Sequence, residues 1–301
     1  MLTDSQAVHL HVGGQTTGAE DLVVWLAANR AGLRRAGYGL FCFDVLGAGD
    51  DSFASALPAD PSDEQECAQA AAALAARFAP DRKAGEEGFL LSVPDLAGPM
   101  GELMLGRFHG QARARARLLR QALGQGVARL VLAVQPYEVL FHSVWMMSAM
   151  DRRIEPFADY APALAGFQGG WADLAAVLCE ELEVRELVVQ AAPVASAEML
   201  DALVPGLALR QPVEPRPKPR ITQSAVAMAQ RLSAQGTRLQ PGQRDRLVAF
   251  HARQPQLRPD YGFSALALAD LRGRYIADLD MMARGFGAHV SGATVPAMAA
   301  E

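Results

Sequence analysis

The alternation of hydrophobic and polar positions over residues 7–12 predicts a β-strand, which a glycine-containing loop follows. From residue 19 the hydrophobic positions recur at helical spacing, and they end before Gly37, a typical helix stop. One face of this predicted helix carries Leu22, Trp25, Leu26, Asn29 and Leu33. A second strand is predicted over residues 40–45. Strand, loop, helix and strand in this order favour a parallel sheet covered by helices on both faces.

The rest of the chain continues this alternation of strands and helices. Strands are predicted over residues 88–93, 130–134 and 187–189, the last of these being the expected final strand. Helices are predicted over residues 64–78, 112–124, 137–150, 171–182, 224–234, 245–252 and 266–282. Residues 47–62 are rich in Gly, Asp, Ser and Pro and predict an exposed loop, and the last fifteen residues or so are expected to fray.

These elements predict a three-layer α/β/α sandwich around a short parallel sheet, with helices at the C-terminal end. We expect residues 1–301 to form a single domain. Within it, a proline-rich connector at residues 211–220 leads to a C-terminal helical portion at residues 221–290. The connector contains the sequence EPRPKPR (residues 214–220), which favours a stiff, extended chain.

Composition excludes several classes of protein. Half of the residues are hydrophobic and the formal net charge is -5, so we expect a sizeable core and no nucleic-acid or membrane partner. The three cysteines lie far apart and form no C-x-x-C pair, which argues against disulfides and structural zinc. Residues 1–6 lack a secretory signal pattern, and the apolar stretch 137–150 is too short to cross a bilayer. A cytoplasmic protein is the expectation.

The loop at residues 11–18, HVGGQTTG, lies between the first predicted strand and the first predicted helix. Backbone N–H groups and the positive end of a helix both face an anion at such a position. The loop therefore predicts a phosphate-binding site. It does not fit the Walker pattern, because the Lys and the following Ser or Thr are missing.

Residues 9–40 resemble the opening of the bacterial P-loop sulfotransferase-like family, in which a strand ending in His-hydrophobic-Gly leads to Lys-Thr-Gly-Thr-Thr. The match extends into the helix and its end, at Asn29, Arg30, Leu33 and Gly37. A second match covers residues 129–150. Looser matches cover residues 171–189 and residues 268–282, where Tyr275 and Asp278 stand as in the family.

The resemblance implies a donor substrate, 3′-phosphoadenosine 5′-phosphosulfate (PAPS), and no metal. It assigns the 5′ end of PAPS to a cradle made of Gly13, Gly14, Gln15, Thr16, Thr17 and Gly18. It assigns the 3′-phosphate to Ser143, with Gln135 in a reduced role. The implied acceptor is a hydroxyl group of a carbohydrate or a small metabolite.

The sequence departs from the family where the donor is held. Thr16 replaces the loop Lys, Gln135 replaces an Arg, and Ala19 and Glu20 replace two Thr residues. Charge-assisted bonds to phosphate are worth about 1.5–3 kcal/mol each, so these losses weaken donor binding by several kcal/mol. The loop Lys also stabilises charge that develops on the bridging oxygen during sulfuryl transfer.

Two functions therefore remain open. One is a PAPS-dependent transferase, and the other is a catalytically inactive sulfotransferase-fold protein that binds a ligand or a partner. Substitute cations are candidates by sign only: Arg30, Arg34, Arg35, the arginines of residues 113–120, Arg216, Lys218 and Arg220. Most of them are expected on solvated helix faces. The connector is the best candidate, because the family can bring a late basic segment over the donor.

The histidines suggest weaker alternatives. His9 and His11 share one face of the first strand, as metal ligands of amidohydrolase barrels do, but the further ligands are missing, which favours a structural role. His109 is a candidate general base towards an acceptor hydroxyl, or else a satisfied loop residue. His142 precedes Ser143 in a predicted helix, so the two side chains diverge and cannot form a nucleophile–base pair.

Overall fold

The structure is a computed structural model that describes residues 6–13, 17–43, 52–58, 60–61, 63–191, 193–216, 219–256 and 261–292. Its strands are β1 (Ala7–Gly13), β2 (Tyr38–Cys42), β3 (Gly88–Ser92), β4 (Arg129–Val134), β5 (Glu186–Ala191) and β6 (His289–Gly292). They form one six-stranded sheet in the order β2-β3-β1-β4-β5-β6. Every pair of neighbouring strands is parallel. The predicted parallel α/β sheet is confirmed.

The helices are α1 (Ala19–Ala28), α2 (Arg30–Arg35), α3 (Glu64–Lys83), α4 (Ala112–Leu123), α5 (Tyr137–Asp151), α6 (Phe157–Ala165), α7 (Trp171–Glu181), α8 (Ser196–Leu203), α9 (Gln223–Ala234), α10 (Pro241–His251) and α11 (Ala265–Gly285). Two 3-10 helices cover Ala54–Ala56 and Met100–Leu105. No described helix is long and apolar enough to cross a membrane.

Helices cover both faces of the sheet. On one face, α1, α2 and α8 pack against the sheet through a cluster that includes Leu26, Leu33 and Leu200. On the other face, α3, α4, α5, α7 and α11 share a larger cluster with the sheet. The arrangement agrees with the predicted three layers. All five residues of β3 are buried, as expected for a strand covered on both faces.

The C-terminal helices attach to α5. A third cluster joins α9 and α10 to the end of α5, and its buried members are Ala149, Met150, Ala225, Val226, Ala229 and Val248. Helix α11 instead contributes to the larger cluster through Leu271, Tyr275 and Met282. Helix α5 therefore takes part both in the larger cluster, which includes the sheet, and in the cluster formed with α9 and α10.

Three expectations about these elements are wrong, and two helices were missed. The strand predicted at residues 187–189 is not the last one, because β6 pairs with β5 beyond it. The first helix is interrupted at Asn29, which has φ -100° and ψ 7° and whose side chain donates to the Trp25 carbonyl. Helices α6 and α8 were not predicted. The predicted exposed loop at residues 47–62 contains a fully buried side chain, Phe53, which packs in the larger core cluster.

Candidate functional site

The carboxyl ends of β1 and β4 form the edge of the sheet at which the sequence places the phosphate-binding loop. Gly13, the last residue of β1, pairs in register with Ala133 of β4. The chain leaves β1 through α1 towards β2 and leaves β4 through α5 towards β5, in opposite directions across the sheet. In open parallel sheets, ligands bind in the crevice outside such a switch point. The topology therefore marks this crevice as the candidate site.

Gly13 must lack a side chain at this edge. A Cβ atom on Gly13 would lie 2.7 Å from the Ala133 Cβ and 2.9 Å from the Thr17 Oγ1. Both distances are too short for real Cβ contacts. The close approach of Thr17 to the end of β1 explains why Thr17 is buried.

Helix α1 begins at this edge and points its amino end towards it. Gly18 precedes the helix with a φ of 90°, in the left-handed region that favours glycine, and its carbonyl accepts the first helical bond from the Leu22 N–H at 3.1 Å. The first turn of α1 carries Glu20 and Asp21. Their negative charges interact favourably with the helix dipole but repel a bound anion. Gly14, Gln15 and Thr16, which complete the predicted cradle, lie outside the described residues.

The two residues predicted to hold the 3′-phosphate follow β4. Gln135 is buried beside the end of the strand, and its carbonyl accepts a bond from Trp171 Nε1 at 2.9 Å. Ser143 is half-buried six residues after the start of α5, which corresponds to about 9 Å along the helix axis. Gln135 thus lies at the same edge as Gly13 and Thr17, whereas Ser143 lies further along α5.

His11 lies under this edge as a neutral, structural side chain. Its Nδ1 is 2.9 Å from the Ser92 Oγ of β3, and its Nε2 makes no hydrogen bond within the described part of the chain. Complete burial lowers the pKa of His11 to about 4. His11 therefore adds no positive charge to the crevice near neutral pH.

Most of the candidate cations form ion pairs with carboxylates of this chain. Arg113 and Arg117 pair with Glu181. Arg30 pairs with Asp81 at 2.9 Å. Arg115 differs from the expected solvated face, since it is buried and bonds the Asp95 carboxylate at 3.0 Å. These arginines stabilise contacts between elements and do not face the crevice as free charges.

The connector is attached to α1. The Asn29 side chain donates to the Val213 carbonyl at 2.9 Å and accepts from its N–H at 2.7 Å. Trp25 Nε1 donates to Glu214 Oε1 at 3.0 Å. Because residue 213 lies beside the end of α1 and residue 214 lies beside the preceding turn, the connector runs towards the amino end of the helix. Arg216 is exposed, and Lys218 lies outside the described residues.

His109 is strained and its ring is buried. Its φ is 54°, in the left-handed region, and neither ring nitrogen makes a hydrogen bond of normal geometry among the described residues. Burial lowers the pKa of His109 to about 4, against a smaller opposing effect of the Ala97 backbone. Such a weakly basic imidazole is a poor match for general-base chemistry near neutral pH.

Polar residues of α5 and α11 form contacts with one another that the sequence pattern did not predict. Tyr137 donates to Asp278, and both accept a bond from the Trp171 N–H, at 2.8 and 2.9 Å. Beside them, Glu138 Oε1 accepts from Arg272 Nε at 2.8 Å. The available signal was a charged residue in the first turn of an otherwise apolar helix. His142 follows one turn later, 3.5 Å from Gln223 Nε2.

The described residues contain no group of three or more His, Cys, Asp or Glu side chains that could hold a metal ion. Comparisons with protein-family models, with curated proteins and with solved structures find no match to this chain. The fold therefore defines a class only: an α/β protein whose six-stranded parallel sheet has a topological switch point between β1 and β4.

Proposed function

We propose that this chain is a divergent P-loop sulfotransferase-like protein that binds PAPS at the β1–β4 crevice and transfers its sulfuryl group to a hydroxyl. The main support for this proposal is the position of the glycine loop, which connects β1 to α1. The chain leaves β1 and β4 in opposite directions at this edge of the sheet. The acceptor in this proposal is a carbohydrate or a small metabolite.

Backbone groups make much of the proposed contact with the donor. The amino end of α1 offers N–H groups without helical partners, and a phosphate is the group such a position suits. Gly13 lets the chain turn tightly against Ala133 of the neighbouring strand. These contributions do not depend on the missing Lys and Arg, so they persist in a sequence that has lost both.

The connector is the proposed source of positive charge. Trp25 lies six residues after the first residue of α1, about 9 Å along the helix axis. An extended, proline-rich chain advances about 3 Å per residue, so a connector that continues along α1 would place Arg216 roughly 6 Å nearer the amino end of the helix than Glu214. In that geometry an arginine side chain would span the remaining distance. This geometry supports a role for Arg216 in donor binding.

The proposed reaction is a single displacement. The acceptor oxygen forms a bond to sulfur while the bond between sulfur and the bridging 5′-phosphate oxygen breaks. The departing 3′-phosphoadenosine 5′-phosphate takes the electron pair, and the acceptor's proton passes to solvent water. Donor binding is the step in which this chain departs most from the family, so it is the step to test.

Calorimetric titration of the full chain with 3′-phosphoadenosine 5′-phosphate at low salt tests the proposal. We expect micromolar binding that weakens in Arg216→Ala, while Arg117→Ala, which removes an exposed arginine committed to Glu181, binds as the parent does. Absence of binding at millimolar nucleotide would overturn the transferase proposal.

A second candidate function is a catalytically inactive module of the same fold that binds another ligand or a protein partner. Glu20 in the first turn of α1 favours it, because a carboxylate there repels a phosphate. Thr16→Lys, alone and with Gln135→Arg, separates the two. A gain in nucleotide affinity indicates a weakened transferase site, whereas no gain indicates a site that has lost the donor.

A further inference from the structure

A groove of about 620 Å³ runs between helix α8 and the strands β5 and β6. Small-molecule sites in proteins typically occupy roughly 300–1,000 Å³, so the groove is large enough for an organic ligand. Helix α8 forms one wall through residues 197–202, and β5 and β6 form the floor. None of the described residues predicted to hold PAPS lines this groove.

The register of the sheet brings two polar side chains together on the floor of the groove. Gln190 of β5 pairs with Ser291 of β6, and Val188 pairs with His289 two residues earlier. Because side chains alternate along a strand, these four residues point to one face of the sheet. Val188 packs in the cluster that α8 shares with the sheet, so this face is the one that α8 covers. The floor therefore changes from apolar at Val188 to polar at Gln190 and Ser291.

The two polar residues of the floor have no partners for their side chains within the described chain. Gln190 is only 6% exposed, and its amide makes no hydrogen bond with a described residue. Ser291 Oγ is buried and likewise has no hydrogen-bond partner there. Buried polar groups are nearly always hydrogen-bonded, because an unmet donor or acceptor costs its desolvation energy. Since Gln190 lines the groove, a group bound in the groove can supply the missing partner.

The wall that α8 contributes is negatively charged. Glu198 and Asp201 are three residues apart, so they lie on the same side of the helix, and both are exposed at the groove. Asp201 Oδ1 accepts a bond from the Gly206 N–H at 2.9 Å, but neither carboxylate forms an ion pair within the described residues. Two carboxylates one turn apart repel each other, and a cation bound between them removes that repulsion.

Arg129 lines the groove but does not neutralise this wall. Its guanidinium pairs with Glu186 at 2.6 Å and donates to the Ala202 carbonyl at 3.1 Å. The positive charge of Arg129 is therefore balanced by a carboxylate outside the wall. The charges of the groove favour a cationic ligand over a neutral or an anionic one.

Hydrogen-bonding capacity defines the rest of the ligand. The Gln190 amide and the Ser291 hydroxyl each both donate and accept. A hydroxyl group also does both, so it can bond either residue in either direction. A primary ammonium has three donors and suits the two carboxylates of α8. A ligand that carries both groups matches the wall and the floor together.

We propose that the groove between α8 and the strands β5 and β6 binds an amino alcohol, a small organic cation with a primary ammonium and one or more hydroxyl groups. The ammonium binds at Glu198 and Asp201, and a hydroxyl exchanges hydrogen bonds with Gln190. This inference goes beyond the proposed transferase function, because no step of it requires PAPS to bind.

Ligand-observed NMR with glucamine as the probe tests the site in the full chain. Glucamine carries a primary ammonium on a chain of hydroxyl groups. Sorbitol keeps the hydroxyls but has no charge, and hexylamine keeps the ammonium but has no hydroxyl. We expect glucamine to bind at millimolar concentration and each comparison compound to bind about tenfold more weakly. No binding of glucamine would mean that water alone occupies the groove, and equal binding of sorbitol or hexylamine would also overturn the proposal.

Two sets of variants test the wall and the floor separately. Glu198→Gln combined with Asp201→Asn keeps both shapes at exposed positions, and we expect it to weaken glucamine about tenfold. Gln190→Leu removes the floor amide and should weaken glucamine while leaving the weak binding of hexylamine unchanged. Glu86→Gln, at an exposed glutamate before β3, is the control and binds as the parent does. Parent-like affinity for glucamine in the α8 double variant contradicts the inference, whether or not Gln190→Leu folds.

Discussion

Trp25 Nε1 donates a hydrogen bond to Glu214 Oε1 at 3.0 Å, although the two residues lie 189 positions apart in the chain. The bond joins a helix that begins at the candidate crevice to the connector that precedes the C-terminal helices. Asn29 adds two bonds to the Val213 backbone one turn away. A connector held at residues 213 and 214 has a defined direction along α1 there, and that direction is the basis of the proposed role of Arg216.

Glu214→Ala is expected to release the connector. The substitution leaves the Trp25 indole without its acceptor, which we expect to cost about 1–3 kcal/mol of unfolding free energy. Trypsin should then cleave faster after Arg220, since Arg216 and Lys218 are each followed by proline. Time-resolved proteolysis followed by mass spectrometry measures this. Glu86→Ala, at an exposed glutamate before β3, is the control, and equal cleavage rates in the two variants would contradict the proposed attachment.

Gly13→Ala is expected to disrupt the end of β1. The added methyl group would overlap the Ala133 Cβ and the Thr17 Oγ1, and overpacking of this kind costs about 1–3 kcal/mol. Urea unfolding measures the loss. Gly101→Ala is the matched control, because nothing lies within 4 Å of a Cβ at that position. Equal stability of the two variants would show that β1 does not approach β4 as closely as described.

His11 is expected to make stability depend on pH. Folded His11 stays neutral down to about pH 4, whereas an unfolded histidine takes up a proton near pH 6.5. The unfolded state therefore binds more protons between these values, and the free energy of unfolding falls as the pH falls through this window. Above pH 6.5 the contribution of His11 is fully present. Its loss amounts to about 3 kcal/mol at pH 4, at about 1.4 kcal/mol per pKa unit.

The variant His11→Gln isolates this effect. Urea unfolding of the parent and the variant is measured between pH 7.5 and pH 4.5, and the difference between their free energies is plotted against pH. We expect the parent to lose more stability than the variant as the pH falls. Parallel curves would mean that His11 is accessible to protons in the folded state.

The sequence predicted the parts of the fold that depend on local pattern. The alternation in β1, the glycines after it and the helical spacing in α1 together indicate a parallel sheet, and the structure confirms that sheet. Strand β6 was missed because its four residues, HVSG, carry little pattern and become a strand only by pairing with β5. The break at Asn29 likewise depends on Val213, a contact that no local pattern contains.

Residues of the candidate site that lie beside strand ends could likewise be predicted from the sequence, whereas contacts between distant helices could not. Gly13 was predicted from its place in the loop after the first strand, and Gln135 from the resemblance alone. The two residues end and follow β1 and β4, which pair in the sheet. The ion pair of Glu138 with Arg272 was not recognised, because the two residues come from α5 and α11 and meet only when these helices pack. A charged residue in an apolar helix gives a usable signal for such a position, but the identity of its partner requires the tertiary structure.

Arg115 and Arg117 lie two residues apart on α4 and are expected to differ sharply in energetic importance. Arg115 is buried and donates to the carbonyls of Leu96 and Asp95 as well as to the Asp95 carboxylate. Arg115→Ala leaves that carboxylate poorly compensated, and loss of one partner of a buried pair costs about 3–5 kcal/mol. Arg117 is largely exposed, so Arg117→Ala should cost less than about 1 kcal/mol. Thermal unfolding compares the two, and similar losses would contradict the assigned burial.

Tyr137 and Tyr275 both contribute buried rings, but only one of their hydroxyls has partners within the described chain. The Tyr137 hydroxyl donates to Asp278 and accepts from the Trp171 N–H, which connects α5, α7 and α11. Tyr137→Phe deprives the buried Asp278 of a donor, and we expect it to lower the free energy of unfolding by about 1.5–3 kcal/mol. The same substitution at Tyr275 removes no described bond and should leave the free energy unchanged or slightly raised. Urea unfolding of both variants measures the contrast. A large loss in Tyr275→Phe would mean that its hydroxyl makes a hydrogen bond within the folded protein.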